Sequence, residues 1–229
     1  MRTAGPRGTL EELLKPLPLI AILRGIRKQE AVAVGRALHD AGFRIIEIPL
    51  NSPEPFESIR LLAESMPHDC LVGAGTVTAT AQIAAVEAAG GQLIVMPHSD
   101  TAIIAAAKAR QMVCLPGVAT ITEAFAALAA GADGLKLFPA NVLTPATLVA
   151  WRAVLPREVI TLPVGGVHPD NLAAWAAAGA RGFGIGSALY KPGASASETN
   201  ERGRAFAQAW AAISGSTTPS STRGPGTHG

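Results

Sequence analysis

Charge is scarce in this chain. Charged side chains make up 16% of its 229 residues, where an ordinary soluble domain carries roughly 25%. The formal net charge is +2, and the lysines and arginines are scattered. With no basic stripe, the sequence argues against nucleic acid and against an anionic membrane as partners. Cysteine is scarcer still. Cys70 and Cys114 are the two, each inside an apolar, strand-like run. A disulfide framework or a zinc site needs more ligands at closer spacing, so both read as small core residues in a reducing compartment. No apolar run approaches the roughly 18 residues of a membrane span. The run at residues 17–23 is short, is broken by Pro18 and follows Glu11 and Glu12, which is unlike a signal peptide. A cytoplasmic protein is expected. The five histidines show no ligand spacing. His98 and Asp100 stand close together, but two ligands do not make a site, so no metal is expected.

What the chain has in plenty is alanine, with 24 glycines beside it. A strand-like and then a helix-like pattern recurs along it. Short apolar runs stand at residues 19–23, 45–50, 71–74, 93–96, 113–115, 135–138, 160–164 and 182–185. Continuous apolar runs suit parallel strands buried on both faces. Between them lie alanine-rich segments with helical spacing, at 30–41, 80–89, 100–110, 122–130, 146–154 and 170–178. Alanine is the best helix former. Gly42, Gly90, Gly131 and Gly179 follow four of these segments, where a helix-ending glycine belongs. A last helix is expected over 198–213. Eight strand–helix units predict an α/β fold of the (β/α)8 TIM-barrel type. A doubly wound open sheet is the competitor, but the glycine-rich fingerprint usual after its first strand is replaced here by Leu23-Arg24-Gly25-Ile26. The expected division is a loose lead and helix at 1–16, the barrel at 17–213, and a disordered tail at 214–229.

In such a barrel, chemistry sits at the C-terminal ends of the strands. Three charges fall there or inside the strands themselves: Arg24, Glu47 and Lys136. Lys136 interrupts Gly134-Leu135-Lys136-Leu137-Phe138. Burial lowers a lysine pKa, and a neutral amine attacks ketones to form a Schiff base. A structural ion pair, or a lysine reaching out past a strand end, explains the position equally. Glu47 interrupts Ile45-Ile46-Glu47-Ile48-Pro49 and suits either a partner for Lys136 or a proton shuttle. Arg24 ends an apolar strand, and its planar fork fits a carboxylate or phosphate; it also reads as a plain strand-end charge. Thr76 closes a glycine-rich turn, either to hold a carboxylate or simply to turn the chain. Gly165-Gly166 and Gly186-Ser187 end the seventh and eighth runs, where this fold commonly binds phosphate through backbone N–H groups.

Six ordered motifs carry a family resemblance: LPLIAILRGI (17–26), IIEIPLNSP (45–53), VGAGTV (72–77), GLKLFPA (134–140), LPVGGV (162–167) and GIGSALY (184–190). They resemble the pyruvate-dependent class I aldolases of the 2-keto-3-deoxy-6-phosphogluconate group. The resemblance implies Lys136 as Schiff-base lysine and Glu47 as general acid/base working through water. It implies Arg24 and Thr76 as the carboxylate pair, and Gly165, Gly166, Gly186 and Ser187 as the phosphate cradle. Phe138 is implied as an aromatic wall, with Val164 and Asn51 lining the substrate pocket. It further implies no metal or organic cofactor, a homotrimer, and phosphorylated 2-keto-3-deoxy sugar acids and pyruvate as ligands. Within the group the match is closer to the phosphogalactonate branch: Val164 stands where gluconate enzymes often have threonine, and Asn51 where many have arginine. The alternatives kept open are the gluconate epimer, 4-hydroxy-2-oxoglutarate, a metal-dependent barrel aldolase and a non-catalytic sugar-phosphate-binding barrel.

Overall fold

The computed structural model describes residues 9–215. Residues 1–8 of the expected lead and residues 216–229 of the tail expected at 214–229 lie outside the described residues. The described chain opens with α1 (Leu10–Leu14), whose N-cap Thr9 and third residue Glu12 form a capping box. Strands and helices then alternate. They are β1 (Leu19–Ile22), α2 (Lys28–Asp40), β2 (Ile45–Pro49), α3 (Pro55–Ser65), β3 (Leu71–Gly75) and α4 (Ala81–Ala88). Next come β4 (Leu93–Val95), α5 (Thr101–Lys108), β5 (Val113–Leu115), β6 (Gly117–Val118), α6 (Ile121–Ala129) and β7 (Leu135–Leu137). The series ends with α7 (Pro145–Arg152), β8 (Thr161–Pro163), α8 (Leu172–Ala177), β9 (Phe183–Ile185) and α9 (Ala196–Gly215).

All eight apolar runs contain strands, and the differences have local causes. The fifth run stops at Pro116, and β6 resumes beyond it with a new partner. Proline has no N–H to give to a ladder. Residues 170–178 split into a 3-10 turn at Pro169–Asn171 and the short α8. α3 has no alanine run to announce it; it begins on Pro55, which suits the first helical position. α9 runs through Ser214 and Gly215, two residues that composition alone assigns to the tail.

Every strand pairing is parallel. The strands form a six-stranded sheet in the order β5-β4-β3-β2-β1-β9 and a three-stranded sheet in the order β6-β7-β8. A parallel bridge from Val164 to Gly184 joins the end of β8 to β9. The result is an α/β fold built on curled parallel sheet.

Side-chain alternation divides the core into two. Leu19 and Ala21 of β1, with Leu135 and Leu137 of β7, pack outward with residues of the helices. Ile20, Ile45, Leu71, Leu93, Leu115 and Leu162 gather on the other face with Leu10, Leu13 and Leu14 of α1. Three leucines of one helical turn thus plug the inner end of the strands. Each such side chain contributes roughly 1.5–3 kcal/mol on full burial. Because strand side chains alternate with a period of two, Glu47 shares the inner face with Ile45. Lys136 faces away from Leu135 and Leu137 and so also points inward.

Candidate active site

The inner face carries the charged groups just above its leucine plug. Glu47 lies in register between Ile22 of β1 and Gly73 of β3. Lys136 lies between Gly117 and Leu162. Both are nearly sealed from solvent, Glu47 at 2% exposure and Lys136 at 6%. Burial pushes the Glu47 carboxyl pKa up, against the pull of Lys136 and Arg24. Burial pushes the Lys136 ammonium pKa down; Glu47 opposes this and Arg24 adds to it. The three charges predicted to matter therefore sense one another in one place. Glu47 and Lys136 act through charge, and Glu47 Oε2 is buried with no hydrogen-bond partner in the protein. Lys136 Nζ lies 4.7 Å from the centroid of the ring of Phe138, the residue just past the end of its strand. That ring shields the amine and favours its cationic form weakly.

Gly75 makes the carboxylate's position possible. A methyl placed on it would fall 1.3 Å from Glu47 Oε2. Any larger residue there would evict the carboxylate, a requirement the spacing of the VGAGTV motif does not reveal.

Arg24, Asn51 and Thr76 meet at the ends of β1, β2 and β3. Arg24 Nη1 donates to Asn51 Oδ1 at 2.6 Å, and Arg24 Nη2 donates to Thr76 Oγ1 at 3.4 Å. Thr76 has φ +56°, a left-handed conformation that costs a β-branched residue on the order of 1–3 kcal/mol. In this conformation its hydroxyl accepts from the guanidinium. Arg24 itself is exposed, with donors free to meet an anion.

The glycine pairs come from neighbouring strand ends. Gly165 and Gly166 take φ +98° and +74°, which glycine adopts without steric cost. A methyl on Gly165 would lie 3.5 Å from Ala140 N and 3.8 Å from Phe138 Cε2, so this turn packs beside the end of β7. The Asn171 side chain holds the turn, donating to Gly166 O at 2.9 Å and accepting from His168 N at 3.0 Å. Val164 reaches across to β9, where a methyl on Gly184 would lie 2.7 Å from Val164 Cγ2. Gly186 and Ser187 follow β9 directly, and a methyl on Gly186 meets nothing within 4 Å.

A buried amine and a buried carboxylate thus share the inner face, with an arginine–threonine pair at the rim. A family model described as KDPG and KHG aldolase matches residues 10–202. The chain belongs to the KDPG and KHG aldolase family. It is 52% identical over 198 residues to a probable 2-dehydro-3-deoxy-6-phosphogalactonate aldolase of Rhizobium meliloti (strain 1021), covering 86% of this chain and 93% of that one. It is 46% identical over 194 residues to 2-dehydro-3-deoxy-6-phosphogalactonate aldolase of Escherichia coli (strain K12), covering 85% and 95%. A solved structure named as native KDPGal superposes with a TM-score of 0.85 at 45% identity, over 87% of this chain and 97% of that one.

Arg24, Glu47 and Lys136 are thus gathered toward one end of the strands. At the other end, a cleft of about 310 Å³ lined by Leu14, Lys15, Ile160, Arg181 and Trp210 holds none of them. Among the described residues no group of three or more His, Cys, Asp or Glu is arranged to hold a metal ion, and His98 has no ligand set around it. No helix among them is long and apolar enough to cross a membrane. Ser52 and Gly75 are the neighbours of the site that sequence reasoning passed over. For Ser52 no pattern signals it; its hydroxyl matters only because β1 and β2 lie side by side.

Proposed function

We propose that this chain is a class I aldolase that reversibly cleaves 2-dehydro-3-deoxy-6-phosphogalactonate to pyruvate and D-glyceraldehyde 3-phosphate. The observation that carries the reading is the Lys136–Glu47 pair, two titratable groups sealed together with pKa values driven toward neutrality from opposite sides. The names of the relatives at 46–52% identity support the substrate. Arg24 and Thr76 hold the substrate carboxylate. Gly165, Gly166, Gly186 and Ser187 hold the phosphate, and Phe138, Val164 and Asn51 line the space between.

The neutral Lys136 amine attacks the C2 ketone. Glu47, through a water, moves the protons that turn the carbinolamine into an iminium with loss of that oxygen as water. The iminium then draws electrons. Glu47 takes the C4 hydroxyl proton, the C3–C4 bond breaks, and the pair of electrons flows into an enamine on Lys136 as the aldehyde leaves. Protonation at C3 and hydrolysis release pyruvate and the free amine. Anchoring the carboxylate and the distant phosphate holds C2 near the amine, so remote binding energy assists the reacting centre. No metal or organic cofactor has a part in this sequence.

The residues at 17–213 form one catalytic domain in this reading, closed as a (β/α)8 barrel. The Val164–Gly184 bridge and the continuity of β5 into β6 support closure, because they link the two sheets at both margins. The working form is a homotrimer in the cytoplasm, where phosphorylated sugar acids are held. Exposed Phe125, Val142 and Val149 offer apolar surface for subunit contacts. Sedimentation equilibrium at micromolar concentration gives three times the chain mass; a monomer mass refutes the trimer.

Pyruvate with borohydride tests the chemistry. Reduction traps the iminium, and peptide mapping places the added mass on Lys136. A protein that gains no pyruvate-dependent mass, or gains it on another lysine, refutes the assignment.

A further inference from the structure

We propose that Ser52 is a positioning residue that sets the affinity of Arg24 for the substrate carboxylate by locking the turn in which Arg24 sits. The inference rests on the function proposed above and deepens it.

The turn is Leu23-Arg24-Gly25-Ile26. Ile26 N donates to Leu23 O at 3.3 Å, and Gly25 has φ +78°. A positive φ at the third residue is the mark of a type II turn, which differs from type I by a flip of the central peptide. That central peptide joins Arg24 to Gly25, so its orientation sets the ψ of Arg24, on which the rotamers open to the side chain depend. In the structure its N–H has a specific acceptor. Gly25 N donates to Ser52 Oγ at 2.9 Å, across 27 residues of sequence. Ser52 is 7% exposed, so little water competes for that hydroxyl.

The preceding residue completes the grip. Asn51 Oδ1 takes the Arg24 guanidinium while Ser52 Oγ takes the next peptide. Two consecutive side chains after β2 therefore fix the arginine at its tip and at its root. Pro192 closes the other side: a methyl on Gly25 would lie 2.8 Å from Pro192 Cγ. The turn is wedged between the β2 loop and the loop that follows β9.

Without the Ser52 hydroxyl, the central peptide loses its anchor and turns over more freely. Arg24 then spends part of its time away from the carboxylate, whereas Lys136 and the phosphate turns are untouched. One hydrogen bond of this kind amounts to about a five- to tenfold change in an equilibrium constant.

The test compares Ser52→Ala and Ser52→Thr with the unsubstituted protein, each checked for folding by circular dichroism. The pyruvate concentration that half-saturates borohydride labelling of Lys136 should rise about five- to tenfold in Ser52→Ala. Labelling at saturating pyruvate, and the KM for glyceraldehyde 3-phosphate in the synthetic direction, should stay within about twofold. Ser52→Thr keeps the oxygen and should restore the pyruvate value to within about twofold. An unchanged half-saturation in Ser52→Ala overturns the inference, as does an equal loss in Ser52→Thr or a parallel rise in the aldehyde KM. If Ser52→Ala does not fold, Ser52→Cys, whose sulfur is a weaker acceptor, is read against the same thresholds. Failure of the unsubstituted protein to label at all overturns the proposed function and this inference with it; normal labelling with no Ser52 effect overturns this inference alone.

Discussion

Replacing Lys136 with alanine should lower kcat by about 10⁴-fold or more, with no pyruvate-dependent labelling left. At the enzyme level that is about 5.5 kcal/mol of lost transition-state stabilisation. The size follows from the role: without the amine there is no iminium, and nothing else on the inner face can accept the electrons of the breaking C3–C4 bond. Fold should not be the casualty. Lys136 is 6% exposed and its ammonium is disfavoured there by burial, so its removal relieves a desolvation cost. What remains is Glu47 without a cation on that side, and its pKa should rise further, because the Lys136 charge is one of the two that lower it. Lys136→Met, closer in volume, separates the two consequences: at pH values low enough to protonate Glu47, its unfolding midpoint should equal or exceed that of the unsubstituted protein while activity stays abolished. Turnover in either variant within about 100-fold of normal would remove covalent catalysis from the reading.

The reason Lys136 and Glu47 could be found in the sequence is that each breaks a simple rule. An apolar run buried on both faces has no place for a charge, so a charge inside one needs a partner, a proton or a task. The alternation of side chains then puts both on the inner face, away from the helices. Arg24, at the end of its run, was legible for the same reason. Its partners were not. Asn51 is expected to line the substrate pocket, and nothing in its spacing shows that its Oδ1 also accepts from Arg24. Ser52 reaches Gly25 only because Ile22 and Glu47 stand in register across β1 and β2. Such contacts depend on where strand ends fall, and strand ends are set by the ladder, not by local composition. Pro116 shows the same limit in the backbone: the fifth apolar run looks like one strand, but the missing N–H divides its pairing between two sheets. The glycines differ among themselves. Gly75 is demanded by the Glu47 carboxylate and Gly165 by its φ, whereas Gly186 has open space around it. Only for the first two does the fold itself explain why no side chain is present.

Glu47→Gln should lower kcat by about 10²- to 10⁴-fold, the usual range for removing a general acid/base. Glutamine keeps the length and fits over Gly75, so the loss reports the proton rather than the packing. The pH dependence supplies a second, independent sign. Lys136 attacks only as the neutral amine. Burial lowers its pKa, and the Glu47 charge opposes that effect. Removing the charge lets the pKa fall further, so the amine becomes neutral at a lower pH. The acid limb of pyruvate-dependent labelling should therefore move to lower pH in Glu47→Gln, even as turnover collapses. Arg24 pushes in the same direction on Lys136, so losing Arg24 would move the limb the other way. The two buried groups titrate as a unit, and the limb belongs to the pair. An acid limb that does not move would mean that the proton they share sits on Glu47, leaving no carboxylate charge for Lys136 to feel. A Glu47→Gln variant with near-normal kcat would be the graver result, because among the described residues no other carboxylate is buried and ready to take the C4 proton.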